Sequence, residues 1–218
     1  MLLAGVLLLS ALFVGPADAG EQRAEPEKAV LQQLSKAYAK VDSFEADFAQ
    51  TSSGMSYAQP MVQIGRLYVQ RPHKMHWDFR EPTRQQYISD GSTFWLVDHS
   101  AKTTTVYRKM DSVLSHFFDL LTGLSGATEN FKVSLESGEF ARPGASTLKL
   151  VPRKDGAGLG TLYVHISEES SLVVAVTNVT PFGDTTLLEL GEMTLNEKQE
   201  QAHFQWTKTE GFKLIEGG

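Results

Sequence analysis

The chain opens on an apolar run and then settles into two periodicities. Leu2 to Val14 is apolar except for Gly5 and Ser10 and carries no charge. It falls short of the roughly 20 residues that cross a bilayer, and it ends at Ala17-Asp18-Ala19, a small-x-small cleavage pattern. Residues 1–19 are therefore expected to be a secretory signal peptide, with one domain over residues 20–218. No Lys or Arg precedes the run, so the start at Met1 is expected to be truncated or misassigned. Glu25-Pro26-Glu27 suits a helix start, and Val30, Leu31, Leu34 and Tyr38 recur at helical spacing to about Val41. After Asp42-Ser43 the period becomes two. Phe44, Ala46 and Phe48 alternate with Glu45, Asp47 and Ala49. Met61 to Gln70 is the next strand. Its apolar positions allow two orientations, with Leu67 and Val69 inward or Ile64 and Tyr68 inward. Lys74 to Arg80 alternates cleanly, Met75, Trp77 and Phe79 against Lys74, His76, Asp78 and Arg80.

Gln85–Ser89 and Thr93–Val97 flank Asp90-Gly91, a strong hairpin signal. Thr103–Tyr107 follows. Asp111–Leu121 is apolar over most of a helical circumference, with Val113, Leu114, Phe117, Phe118, Leu120 and Leu121, and Gly123 and Gly126 end it. Further strands are expected over Phe131–Leu135, Thr147–Val151, Leu162–Ile166, Leu172–Val179, Thr185–Leu190 and Ala202–Trp206, with turns at Gly156–Gly160 and Ser167–Ser171. The sum is a mainly β fold with some α: about 11 strands in one antiparallel sheet, curled into an open, incomplete barrel. One face of such a sheet needs covering, and the two helices are the elements available to do it.

Composition narrows the chemistry. With no cysteine the chain has no disulfide, thiolate zinc site or thiol nucleophile, and a formal charge of -6 argues against binding nucleic acid through its phosphates. There is no Walker loop, no G-x-S-x-G elbow and no H-E-x-x-H. His73 and His76 are separated by two residues on or beside a strand, so their rings do not share a face. Ser115 and His116 are neighbours on a helix and point apart, which disfavours a hydrolase. Met75, Trp77 and Phe79 have the spacing of ordinary core, and equally that of an apolar cavity wall.

Three stretches together resemble a known family. They are Phe44-Glu45-Ala46-Asp47-Phe48-Ala49-Gln50 after an amphipathic helix; Gly65-Arg66-Leu67-Tyr68-Val69-Gln70-Arg71-Pro72 followed by Lys74-Met75-His76-Trp77-Asp78-Phe79 and Glu81-Pro82; and Ile88-Ser89-Asp90-Gly91-Ser92-Thr93-Phe94-Trp95-Leu96. Their order and spacing resemble the LolA family of periplasmic outer-membrane lipoprotein carriers. The resemblance runs from about Glu27 to Ile215. It implies an open β-barrel with a helical lid over a hydrophobic cavity that takes the acyl chains of lipoproteins. It also implies a periplasmic location in a Gram-negative bacterium, loading by an inner-membrane ABC transporter and delivery to the outer-membrane receptor lipoprotein LolB. No cofactor and no catalysis are implied, and a monomer is expected. The Arg of the R-P pair, Arg71, maps onto a latch that holds the empty lid closed by bonding to its backbone. The acyl cavity is assigned to Phe48, Leu67, Val69, Met75, Trp77, Phe79, Phe94, Leu96, Phe117 and Leu121. The chain departs from the family at Met75, where an aromatic is usual, at Val97-Asp98-His99, at Thr105-Val106, and in having no Pro near Leu114. A divergent paralogue that binds or senses periplasmic lipid or lipoprotein is the alternative these departures leave open.

Overall fold

In a computed structural model the described residues are 25–108, 118–124, 126–153 and 160–217. The expected leader and Phe117 lie outside them, as do Ser115 and His116. Helix α1 (Pro26–Tyr38) begins with Pro in its first turn and Glu27 near its positive end, and it buries Val30, Leu34 and Tyr38 on one face. Six strands follow: β1 (Ser43–Ser53), β2 (Met61–Gln70), β3 (Lys74–Glu81), β4 (Gln85–Asp90), β5 (Phe94–Asp98) and β6 (Thr103–Tyr107). Residues 118–121 are helical, and α2 (Ala127–Asn130) leads into β7 (Phe131–Glu136). The rest is β8 (Ala145–Pro152), β9 (Thr161–Ser167), β10 (Val173–Val179), β11 (Thr185–Leu190), β12 (Thr194–Leu195), a 3-10 turn (Gln201–Phe204) and β13 (Lys213–Glu216).

Consecutive strands pair as hairpins in two runs, β1 to β6 and β7 to β11. The runs join where β1 pairs antiparallel with β11, Phe48 opposite Leu190. β7 and β13 are the two ends of the strand order, and the sheet does not close on itself. The chain leaves β6, near one end of that order, and re-enters at β7, the other end. Described residues 118–124 of the long connection between them lie against the core face of the sheet: Thr122 meets the β2–β3 turn, Gly123 meets α1, and Phe118, Leu120, Leu121 and Leu124 join the buried cluster.

Register explains why scattered residues share one wall. Reading across β1 to β6, Phe44, Val69, Met75, Ser89, Phe94 and Tyr107 stand opposite one another in turn. The next row is Ala46, Leu67, Trp77, Tyr87, Leu96 and Thr105. Paired residues project to the same face of a sheet, so both rows face the core. Of the two orientations open for β2, Leu67 and Val69 are the inward pair, while Tyr68 stacks on His203 outside. From the other run, Leu148, Leu150, Leu162, Val164, Ile166, Val173, Val176 and Leu188 join the same continuous core.

Three expectations need correction. The sheet has 13 strands rather than about 11. Two of them, β12 and β13, are two and four residues long, too short for an alternating pattern to register. The sheet is not wholly antiparallel, since β13 pairs parallel with β6. Ala202–Trp206 is not a strand: Gln201–Phe204 is a 3-10 turn lying on β3 and β4. It is pinned there by side chains, with His203 stacked on Tyr68 at 4.2 Å and Gln201 bonded to Lys74 and Gln70. Phe204 is fully buried on that outer side, away from the main core.

Candidate functional site

The concave wall is dominated by aromatic rings in contact. Phe48 meets Trp77 edge-on at 5.4 Å and Phe79 at 5.0 Å, and Trp77 stacks on Phe79 at 5.8 Å. The series continues from Phe79 to Tyr87, Phe94 and Tyr107, at 5.2, 6.2 and 6.0 Å. Gly65 makes the first contacts possible. A Cβ there would lie 2.0 Å from the Asp78 carbonyl oxygen and 2.8 Å from the Phe48 ring, so only a bare backbone lets that ring cross β2. Of the residues assigned to the cavity, Phe48, Leu67, Val69, Met75, Trp77, Phe79, Phe94 and Leu121 all belong to one buried cluster. Leu96 packs against it and is partly buried. Phe117 is outside the described residues.

The cover comes from two directions. α1 lays Val30, Leu34 and Tyr38 on the cluster, and the connection adds Phe118, Leu120, Leu121 and Leu124. These lid side chains occupy the face that the rows of the sheet present. Burial of this kind makes no directional demand, so another apolar occupant of suitable length satisfies the wall equally well.

At the mouth the cover is fastened by polar contacts. The Arg71 guanidinium donates to the Thr122 carbonyl at 2.6 Å, and its backbone N–H donates to Asp42 O at 2.9 Å. The Thr122 hydroxyl donates to the Phe118 carbonyl at 2.9 Å, and Leu124 N–H donates to Asp119 O at 2.8 Å, closing the lid's last turn. His73 packs its ring on Phe118 at 5.0 Å. Gly123, at φ +107°, lies so close to Tyr38 that an added Cβ would sit 2.9 Å from the Tyr38 Cβ. The Tyr38 hydroxyl accepts from Val173 N–H at 3.3 Å, and burial pushes its pKa up to about 12. Around this clasp is a cleft of about 720 Å³, lined by Leu31, Tyr38, Arg71, His73, Phe118 and Leu124 among others.

Arg71, assigned through the family resemblance, lies at this clasp. Tyr38, His73, Thr122 and Gly123 were not assigned to the site. Tyr38 read as the last residue of a helical stripe and Gly123 as a helix terminator, and Thr122 contributes a backbone carbonyl, which has no signature in sequence. His73 and His76 diverge as expected, His73 to the mouth and His76 to the outer face against Tyr68 and His203. Neither His76 ring nitrogen has a hydrogen-bond partner among the described residues, and burial lowers its pKa to about 4. On the opposite half, His165 sits buried between the hydroxyls of Thr147 and Thr177, and burial lowers its pKa to about 4 as well. Both imidazoles are therefore neutral at pH 7. Among the described residues no three His, Asp or Glu side chains converge as a metal would require, and no helix is long and apolar enough to cross a membrane.

Comparison with known proteins gives a consistent pattern. The profile of the family described as "Outer membrane lipoprotein carrier protein LolA" matches residues 39–207. The outer-membrane lipoprotein carrier protein of Bordetella avium is 30% identical over 184 residues, 84% of this chain and 85% of the relative. That of Methylococcus capsulatus is 28% identical over 174 residues, 80% and 81% of the two chains. Among solved structures, an uncharacterized conserved protein from Thermus thermophilus superposes with a TM-score of 0.54 at 12% identity, over 87% of this chain and 98% of that one. That likeness concerns the fold alone.

Proposed function

Since the chain belongs to the LolA family of outer membrane lipoprotein carrier proteins, we propose that it carries lipoproteins through the periplasm with their acyl chains held against the concave wall. The observation that supports this reading is the cover. An apolar, aromatic wall across six strands is covered by α1 and residues 118–124, which the Arg71–Thr122 bond fastens at the mouth.

Magnitudes favour exchange over permanent capture. Burying one methylene is worth about 0.8 kcal/mol, so a chain of about 15 methylenes gains roughly 12 kcal/mol. Displacing Phe118, Leu120, Leu121 and Leu124 costs about 1.5–3 kcal/mol for each side chain, roughly 6–12 kcal/mol together. The second term offsets from half to all of the first, and ordering of the bound chain offsets more of the gain. An exchange offset in this way lets cargo enter when a donor supplies it and leave when a tighter acceptor is at hand. In this reading the donor is an inner-membrane ABC transporter, the acceptor is the outer-membrane receptor lipoprotein LolB, and the protein itself performs no covalent chemistry.

Arg71 is the latch. Its bond stabilises the empty, closed state, and entry of an acyl chain breaks it. The cavity wall is Phe48, Leu67, Val69, Met75, Trp77, Phe79, Phe94 and Leu96, and Leu121 and Phe117 are assigned to the displaced side of the lid. The test is co-purification from detergent-free buffer with a periplasmic lipoprotein, set against the same lipoprotein lacking its acylated cysteine. Retention of the acylated form alone is expected. Equal retention of both forms, or turnover of an acyl ester, would end this reading.

A further inference from the structure

Two stretches at the end of the sheet remote from the clasp carry almost no charge, although the neighbouring strand ends there hold Glu81, Arg84 and Asp98. Residues 48–65 contain no Asp, Glu, Lys or Arg, and residues 170–188 contain Asp184 alone, in a chain where such residues make up 21%. Strand pairing brings the two stretches together, Ser52 opposite Thr186 and Ser53 opposite Thr185. The β1–β2 and β10–β11 turns, residues 54–60 and 180–184, therefore stand side by side. Asp184 ties them together: its carboxylate accepts from the Ser56 backbone N–H at 3.1 Å and from the Ser56 hydroxyl. Thr180 N–H donates to the Asp184 carbonyl at 2.8 Å, which fixes the second turn. The single charge in these two stretches is thus spent on holding the tips in register.

Met55 and Phe182 project from these tips, 92% and 83% exposed. Met61 and Val62 are exposed beside them on β2. One exposed apolar side chain is ordinary on a protein surface. Two on joined tips, flanked by two more and set in a stretch with one charge, form a pattern that points to a partner. The shape selects which. A protruding tip neither encloses a ligand nor offers the broad face that a stable protein interface requires. A bilayer closes around a protrusion and buries both side chains at once. The Ser, Thr, Gln and Tyr57 around them lose no ionic hydration on entering the headgroup layer.

We propose that the paired tips carrying Met55 and Phe182 touch down on a lipid bilayer, inserting their apolar side chains at the boundary between headgroups and acyl chains without electrostatic attraction. Two side chains hold weakly, so the contact is brief and reversible. The tips and the clasp lie at opposite ends of β2, ten residues or about 30 Å apart. Membrane contact through this end leaves the clasp facing water. The inference stands apart from the carrier reading, and failure of either leaves the other in place.

The test is flotation of the full chain with vesicles of pure phosphatidylcholine, and with vesicles containing phosphatidylglycerol, at low and high salt. The wild type is expected to float with both compositions and to be insensitive to salt. Met55→Ser combined with Phe182→Ser is expected to lower the floated fraction at least about tenfold, and Met55→Leu with Phe182→Trp to restore it. Both positions are exposed, so an unchanged melting temperature and unchanged binding of acylated lipoprotein are expected for each double variant. Three results would overturn the proposal: no flotation with phosphatidylcholine, equal flotation of the Ser variant, or flotation that needs phosphatidylglycerol and vanishes at high salt. Dimerisation of the wild type that the Ser variant abolishes would also overturn it, by assigning the tips to a second copy of the chain.

Discussion

Deleting the Arg71 guanidinium removes the bond to the Thr122 carbonyl and leaves the apolar wall untouched. A charge-assisted bond at an exposed site is worth about 1 kcal/mol, so Arg71→Leu is expected to favour the open, loaded state roughly fivefold. Measured as transfer to a receptor, the variant loads normally and releases cargo more slowly; release at the wild-type rate would remove Arg71 from the latch role. The two buried imidazoles set a pH dependence of their own. Each has a folded pKa near 4 against an ordinary value of 6.5, so the unfolded chain binds more protons between those limits. Their contribution to stability is full above about pH 6.5 and is lost as pH falls towards 4. His76→Phe, which keeps a ring against Tyr68 and His203, is expected to narrow the drop in melting temperature between pH 7 and pH 4.5. An unchanged drop would mean that His76 does not resist protonation. Neither histidine announces this in sequence. His76 read as solvent-facing on a clean alternation, because its cover comes from the 3-10 turn more than a hundred residues later.

At the scale of elements, period-two alternation located β1 to β11 well, and the orientation of β3 followed from Met75, Trp77 and Phe79 alone. The pattern failed where elements are short or held by side chains. β12 and β13 offer too few positions, and the turn at Gln201–Phe204 takes its shape from Tyr68, Gln70 and Lys74 rather than from its own residues. Two glycines carry element-scale consequences. Gly65→Val drives a side chain into the Asp78 carbonyl and the Phe48 ring, and it is expected to destabilise the protein by about 3 kcal/mol or more. An unchanged urea midpoint would show that Phe48 does not need that space. Gly123→Ala meets both the positive φ and the Tyr38 contact, so the lid should lose about 1–3 kcal/mol of its seat. Amide exchange across residues 118–130 is then expected to speed up roughly tenfold or more while β2 and β3 stay protected. Uniform acceleration through the sheet would mean that the connection is not a separable cover.

Over the whole molecule, one sheet presents a continuous apolar core face that α1 and residues 118–124 cover. In the proposed reading the wall takes cargo, the connection fills it when cargo is absent, and the Arg71–Thr122 bond fastens the cover. The strict period of Met75, Trp77 and Phe79 made their shared buried face readable, while the latch role of Arg71 came only with the family resemblance. The apolar run ending at Leu121 marked a covering element, but its route between opposite ends of the strand order and the part played by Leu124 follow only from topology. The central claim is that acyl chains take the place of that connection against Trp77. A protein with Trp95→Phe and Trp206→Phe keeps Trp77 as its single indole. The direct measurement is its fluorescence on addition of a lipoprotein bearing brominated acyl chains. Strong quenching that disappears when the cargo lacks acyl chains is the expected result. Cargo that binds with the Trp77 emission unchanged would place the lipid elsewhere and contradict the account.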